Sequence, residues 1–179
     1  EMYLMVGVRD THSRYRQRYL PATLNQGLLD WLDGALGEMA VPEVGFVWRG
    51  PLIGGEKGMR SIQLYLRVAD GTLQFQPDWP PLEHLSSAMT LDNGELNVDI
   101  VGGTLGNTRV KRGEVLLRST PGDTGQQLFV RANIDADAGE AVAVLAKSPL
   151  RSRVAGVVNW DISGPSRIDL DLRIPLSRD

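Results

Sequence analysis

The chain has no cysteine and only two histidines, His12 and His84, among 179 residues. Without thiols there is no disulfide, no thiolate zinc site and no cysteine nucleophile, so thiol redox chemistry is excluded. Neither histidine stands at a spacing that builds a metal site or activates a nucleophile, and no metal or cofactor is expected. Aromatic residues make up 6% of the sequence, too few for the two interfacial girdles of a transmembrane barrel. No apolar run approaches the roughly 20 residues of a membrane-spanning helix, and no signal peptide opens the sequence. The net charge is -3 with both signs interspersed, which leaves no basic stripe for a nucleic-acid backbone.

What the chain does have is alternation. With 42% hydrophobic residues it can bury a core and fits one unit. Ile62, Leu64, Leu66 and Val68 alternate with Gln63, Tyr65 and Arg67, the period of a strand with one apolar side. After Asp70-Gly71, Leu73 and Phe75 alternate with glutamines; after Asn93-Gly94, Leu96, Val98 and Ile100 alternate with Glu95, Asn97 and Asp99. Gly71, Gly94 and Gly103 each stand two residues before an apolar strand position, so each is expected to mark a turn. Asp78-Trp79-Pro80-Pro81 must interrupt the sheet, because proline donates no ladder hydrogen bond, and His84 to Leu91 resumes it. Arg109 to Arg118 continues with Val110, Val115 and Leu117, and Gly113 suggests a bulge. Pro121-Gly122-Asp123 reads as a turn. Leu128, Val130, Ala132 and Ile134 form the next strand, and Ile168, Leu170, Leu172, Ile174 and Leu176 the last.

Around this meander of residues 59–134 lie two other parts. In 1–58, Met2 to Val8 is apolar on both sides and is expected to be a strand covered on both faces. Asp10 to Arg18 is a polar, basic connector. Thr23-Leu24-Asn25-Gln26 has the form of a capping box, and Leu24, Leu28, Trp31, Leu32, Ala35 and Leu36 recur at helical steps, so an amphipathic helix is expected near 24–36. Val44 to Leu52 reads as a strand with Phe46 and Trp48 on one side, and Gly54 to Gly58 as a loop. In 135–179, Asp137 begins a helix that ends near Lys147, and Ser148-Pro149 starts a short one, which places one or two helices near 138–158. The fold class is mainly β (α+β), an antiparallel meander with these helices.

Chemistry has few candidates. Glu95, Asp99, Asp169 and Asp171 fall on the polar side of strands and read as a solvated face rather than an acid/base pair. Asp135, Asp137 and Gly139 resemble the start of a calcium loop, but its twelfth position is Ala146 instead of the required Glu. The glycines at 54–58 do not join a strand to a helix as a phosphate cradle would. An enzyme is not expected.

A set of phrases in a fixed order adds to this reading: Tyr19-Leu20-Pro21, Trp31-Leu32, Trp48-Arg49-Gly50-Pro51-Leu52, Pro77-Asp78-Trp79-Pro80-Pro81-Leu82, Ser148-Pro149-Leu150, Gly164-Pro165 and Leu170-Asp171-Leu172-Arg173-Ile174-Pro175-Leu176. Over nearly the whole chain the series resembles the YhdP proteins, AsmA-like relatives of TamB in the Gram-negative envelope. It departs from the family at Ile53-Gly54-Gly55, where an aromatic phrase is expected. The resemblance implies an internal segment of a much longer protein, anchored in the inner membrane by a part outside these residues. It further implies a curved, taco-like repeating β-groove that crosses the periplasm and moves phospholipid toward the outer membrane. The partners so implied are phospholipid acyl chains, adjacent segments of the same chain and the two membranes; no catalytic residues come with the family. The candidate lining is the apolar strand positions: Ile62, Leu64, Leu66, Val68, Leu73, Phe75, Leu96, Val98, Ile100, Leu128, Val130, Ile134, Ile168, Leu170, Leu172 and Ile174. The alternative is a scaffold or protein-interaction domain whose sheet is sealed by its helices, with the same alternation and no lipid path.

Overall fold

A computed structural model describes residues 2–18, 34–35, 37–51, 60–75, 79–119, 126–147, 151–154, 156 and 161–176. Eight strands form one open antiparallel sheet in which spatial order follows chain order. They are β1 (Met2–His12), β2 (Ala40–Gly50), β3 (Ser61–Leu73), β4 (Leu82–Asp92), β5 (Glu95–Leu105), β6 (Thr108–Ser119), β7 (Gln126–Asp137) and β8 (Pro165–Leu176). A 3-10 helix, Ser13–Arg18, follows β1, and helices α1 (Ala138–Ala146) and α2 (Arg151–Val154) stand between β7 and β8. Most of the expected amphipathic helix, the 54–58 loop, the Ile53-Gly54-Gly55 departure and the 121–123 turn lie outside the described residues. Gly34 and Ala35, at the end of that predicted helix, are helical.

Several expectations need correction. Met2 to Val8 is not covered on both faces: among the described residues β1 is an edge strand paired only with β2, and Tyr3 and Met5 are 52% and 64% exposed. A single layer has no second sheet to cover it, so an uncharged run here marks an edge and not an interior. Of the three glycines read as turns, only Gly94 is one, where Asn93 and Gly94 at φ 49° and 92° join β4 to β5. Both central residues of such a two-residue hairpin require positive φ, which the Asn-Gly pair tolerates. Gly71 lies inside β3 and Gly103 inside β5, and the chain turns instead at Gly106-Asn107. A Cβ on Gly71 would stand 2.8 Å from Val68 Cγ1 and 2.9 Å from Met39 Cβ, so this glycine admits a close approach rather than a reversal. Phe75 falls past the end of β3, its ring 5.4 Å from that of Trp79. The β6 bulge lies between Val110 and Arg112, just ahead of Gly113.

Irregularity and burial share one end of the sheet. Register shifts fall between Ala40 and Glu43, Val68 and Leu73, Glu83 and Ser87, and Val110 and Arg112. All belong to the strand ends nearest the Asn107 turn, where Pro42 occupies one of the bulges. Asp10, Asp70 and His84, with φ near 50°, sit at this end too, and the His84 ring nitrogen meets the Asp70 carboxylate at 2.8 Å. Bulges bend and twist the strands that carry them. In that bend lie two buried clusters, Met39 with Val41 and Val68, and Leu82 with Leu85 and Val110. A clasp closes the first: Gly37 N–H donates to Thr72 O, Thr72 N–H to Glu38 O, and Gln74 N–H to Ala35 O. The buried Ser13 hydroxyl donates to Gly37 O at 2.9 Å and accepts from Met39 N–H at 3.1 Å.

Gly71→Ala is expected to lower stability by about 1–3 kcal/mol, because the added methyl group overpacks Val68 and Met39. Gly102→Ala, whose Cβ would meet nothing within 4 Å, is the control, and the two Tm values compared by calorimetry check it.

Candidate functional site: an apolar face crossing eight strands

Directly paired residues of antiparallel strands share a face of the sheet, so the register shows which side chains stand together. One row crosses all eight strands: Val6, Phe46, Leu64, Leu91, Leu96, Leu117, Leu128 and Ile174. A parallel row two residues along holds Val8, Val44, Leu66, Met89, Val98, Val115, Val130 and Leu172. No polar residue interrupts either row. At about 4.8 Å between strands and 6.8 Å between rows, they have a footprint on the order of 500 Å², within the range of the largest apolar patch on a typical monomer, which is often functional.

The predicted lining positions distribute over this face. Leu64, Leu96, Leu128 and Ile174 fall in the first row, and Leu66, Val98, Val130 and Leu172 in the second. Val68, Ile100 and Leu170 lie in a third, broken by Ser87, Gly113 and Ala132. Ile62 pairs with Trp48 beside Leu4, and Ile134 with Ile168. Leu73 pairs with Leu82 at the buried cluster, and Phe75 joins no row. The predicted lining left out eight members of the two rows: Val6, Phe46 and Leu117, Val8, Val44 and Val115, and Met89 and Leu91. The Asn93-Gly94 hairpin carried the signal for the last two, since a two-residue loop sets Leu91 opposite Leu96 and Met89 opposite Val98. Val6 and Ile174, at the two edges of the first row, are each 42% exposed, the row members on β2 to β7 are partly buried, and Val68 is 7% exposed.

The other face is charged and cross-linked by ions. One of its rows reads Arg9, Glu43, Arg67, Ala88, Asp99, Glu114, Arg131 and Asp171. Arg118 meets Glu95 at 2.6 Å, and Arg131 stands between Glu114 and Asp171 at 3.7 and 3.5 Å. Exposed pairs of this kind contribute about 0–1 kcal/mol each, so they mark a hydrated face more than they stabilise it. Lys111 donates to Asp135 and, with Arg167 and Arg109 nearby, holds that carboxyl below the usual carboxylate range. Beyond it, a cleft of about 640 Å³ is lined by Asn107, Asp135, Asp137, Ser166 and Arg167 among others.

Asp137 ties the helical insert to the sheet. Its carboxylate accepts Gly164 N–H at 2.7 Å and Gly139 N–H at 2.9 Å, so one side chain caps α1 and holds the start of β8. These backbone donors, Gly164 first, hold its pKa below the usual carboxylate value. Among the described residues no group of three or more His, Asp or Glu is placed to hold a metal ion, and no helix is long and apolar enough to cross a membrane.

The ordered phrases quoted above are matched by a family comparison: the model described as YhdP protein covers residues 1–179. The chain belongs to the YhdP family. No curated protein and no solved structure matches it. Membership fits an AsmA-like envelope protein, and YhdP is not a known enzyme family. In this YhdP chain the feature that stands out is accordingly a surface rather than a cluster of reactive groups.

The depressed Asp137 pKa gives the pH dependence a defined sign. Its stabilising contribution is complete above the unfolded carboxylate value of about 3.8 and is lost as pH falls through the lower folded value. Protection of the Gly139 and Gly164 amides against hydrogen exchange, relative to the intrinsic rate at each pH, is expected to fall as pH drops below 3.8, and Asp137→Ala is expected to lower it at neutral pH with the β3–β6 amides unchanged.

Proposed function

We propose that this chain is one section of a hydrophobic groove that carries phospholipids between the inner and outer membranes across the periplasm, and so supports the outer-membrane permeability barrier. The two unbroken apolar rows carry this reading. Dragging an acyl chain of about 16 carbons through water costs on the order of 12 kcal/mol at about 0.8 kcal/mol per CH₂. A half-open apolar wall offsets most of that cost. Because both rows stay apolar from β1 to β8, no single strand forms a deep well, and a tail passes from one strand to the next without a large barrier. The charged opposite face keeps the section wetted on its other side. Adjacent segments of the same chain extend the rows: β1, uncharged from Met2 to Val8 and open along its outer edge, is the natural place for another strand to pair. Anchoring in the inner membrane and contact with the outer one belong to parts of the protein outside these residues.

A photo-crosslinking residue at Leu96, Ile100 or Leu172 is expected to capture phospholipid in cells, and one at Asn97 or Asp171 is not. Equal capture from the two sets would refute the groove. Val98→Asp provides a separate check, because Val98 is half-buried in the middle of the second row. This substitution is expected to impair lipid transport while costing about 1 kcal/mol of stability, a Tm shift of about 2–4 °C; wholesale unfolding would instead place Val98 in a closed core, as the scaffold alternative requires.

A further inference from the structure

The apolar face is not uniform along the strands, and its gradient has a direction. Beyond the first row toward the Asn93 turn, alternation brings polar residues onto the same face: Asn93 two positions past Leu91, Ser119 two past Leu117, and Gln126 two before Leu128. Ser119 and Gln126 are direct partners across β6 and β7. The Gln126 side-chain amide reaches Gly94 O at 3.3 Å, which links this pair to the turn. Arg60 precedes Ile62 by two residues at the same end and is exposed. Toward the Asn107 turn the same columns pass through the half-open rows and end at the buried Val68, Leu82, Leu85 and Val110. On β4, β6 and β7 a column therefore runs from polar and open, through apolar and half-open, to apolar and closed, whereas at the same end Leu4 pairs with Trp48, Trp48 with Ile62 and Leu176 with Gln126 on the outer strands.

Resting on the lipid-carrying reading, we infer that a phospholipid lies along the strands, with its phosphate headgroup over the polar row of Asn93, Ser119 and Gln126 and its tail tips in the bend at the Asn107 end. Lengths agree. From the Ser119–Gln126 pair to the Gly113–Ala132 pair is six residues, about 20 Å of strand, against about 15 Å for the hydrocarbon of one leaflet. Ser119 offers a hydroxyl and Gln126 the second hydrogen of an amide that already donates to Gly94 O, beside an Asn93 whose side chain accepts from Ile62 N–H and donates to the Asp92 carboxylate, and the bulged end offers buried carbon that water does not wet. A lipid placed the other way round would bury its headgroup among Val68, Leu82 and Val110, which costs several kcal/mol for a charged group. Because the polar row spans β4 to β7, it forms a rail along which the headgroup slides while the tails cross the apolar rows.

The test uses full-length protein in envelope membranes and two phosphatidylethanolamine probes, one with a diazirine in the headgroup and one with it at the last carbon of an acyl chain. The headgroup probe is expected to label Asn93, Ser119 and Gln126 over Ile100, Ala132 and Leu170 by about tenfold, the ratio that a 1.4 kcal/mol orientation preference gives. The tail-tip probe is expected to show the reverse ratio. Equal or inverted ratios, with labelling present, overturn the orientation and leave the carrier standing. No labelling by either probe removes both. A second readout is the double variant Ser119→Asp, Gln126→Glu: capture of phospholipid is expected to fall about tenfold while capture of a diacylglycerol probe, which lacks the phosphate, holds. An equal fall for both lipids overturns the headgroup assignment.

Discussion

Everything on the apolar face depends on register. A strand shifted by one residue would turn all its hydrophobic side chains to the other face, and eight strands offer seven interfaces at which that error could occur. None shows it through the regular half of the sheet: the pairing runs in step from the Asn93 end to the bulges. Part of this fidelity is local, from the Asn93-Gly94 loop. The remainder comes from the side chains themselves, since a slipped strand would set leucines against aspartates on both faces at once. The ion pairs between Glu95 and Arg118 and around Arg131 act in the same sense, as each forms only when the strands are in step.

The sheet is divided into a regular half and an irregular half, and the two do different work. Bulges collect where the buried clusters lie, and they bend the strands into a closed margin stitched by Ser13, Gly37 and Thr72. The regular half keeps its apolar side chains half-exposed, which a protein seeking only stability would avoid. The bent margin holds the two buried clusters, while the regular half leaves its apolar side chains only partly covered.

Much of this was legible from alternation. The strands around Leu64, Leu96, Leu128 and Leu172 were visible as period-two patterns, and Asp137 as a helix cap was readable from its place before Ala138-Gly139-Glu140. The joining of separate strands into continuous rows was not, because alternation says which residues share a side and not which residues are opposite each other. Gly71 and Gly103 misled for a related reason: a glycine that opens a turn and a glycine that lets Met39 or Leu82 come close look alike in sequence. The exposed β1 edge was hidden by its own composition, since an uncharged strand reads as interior unless the number of layers is known.

The bond between Ser13 and the Gly37–Met39 backbone joins positions 24 and 26 residues apart in sequence. Both ends of the intervening stretch are thus fastened at one point on the margin of the sheet. Lengthening a loop whose ends are already fixed costs little, about 0.6 kcal/mol for each doubling. Added length in the chain between Ser13 and Gly37 therefore leaves this fastening, and the ladder of strands behind it, in place at little cost.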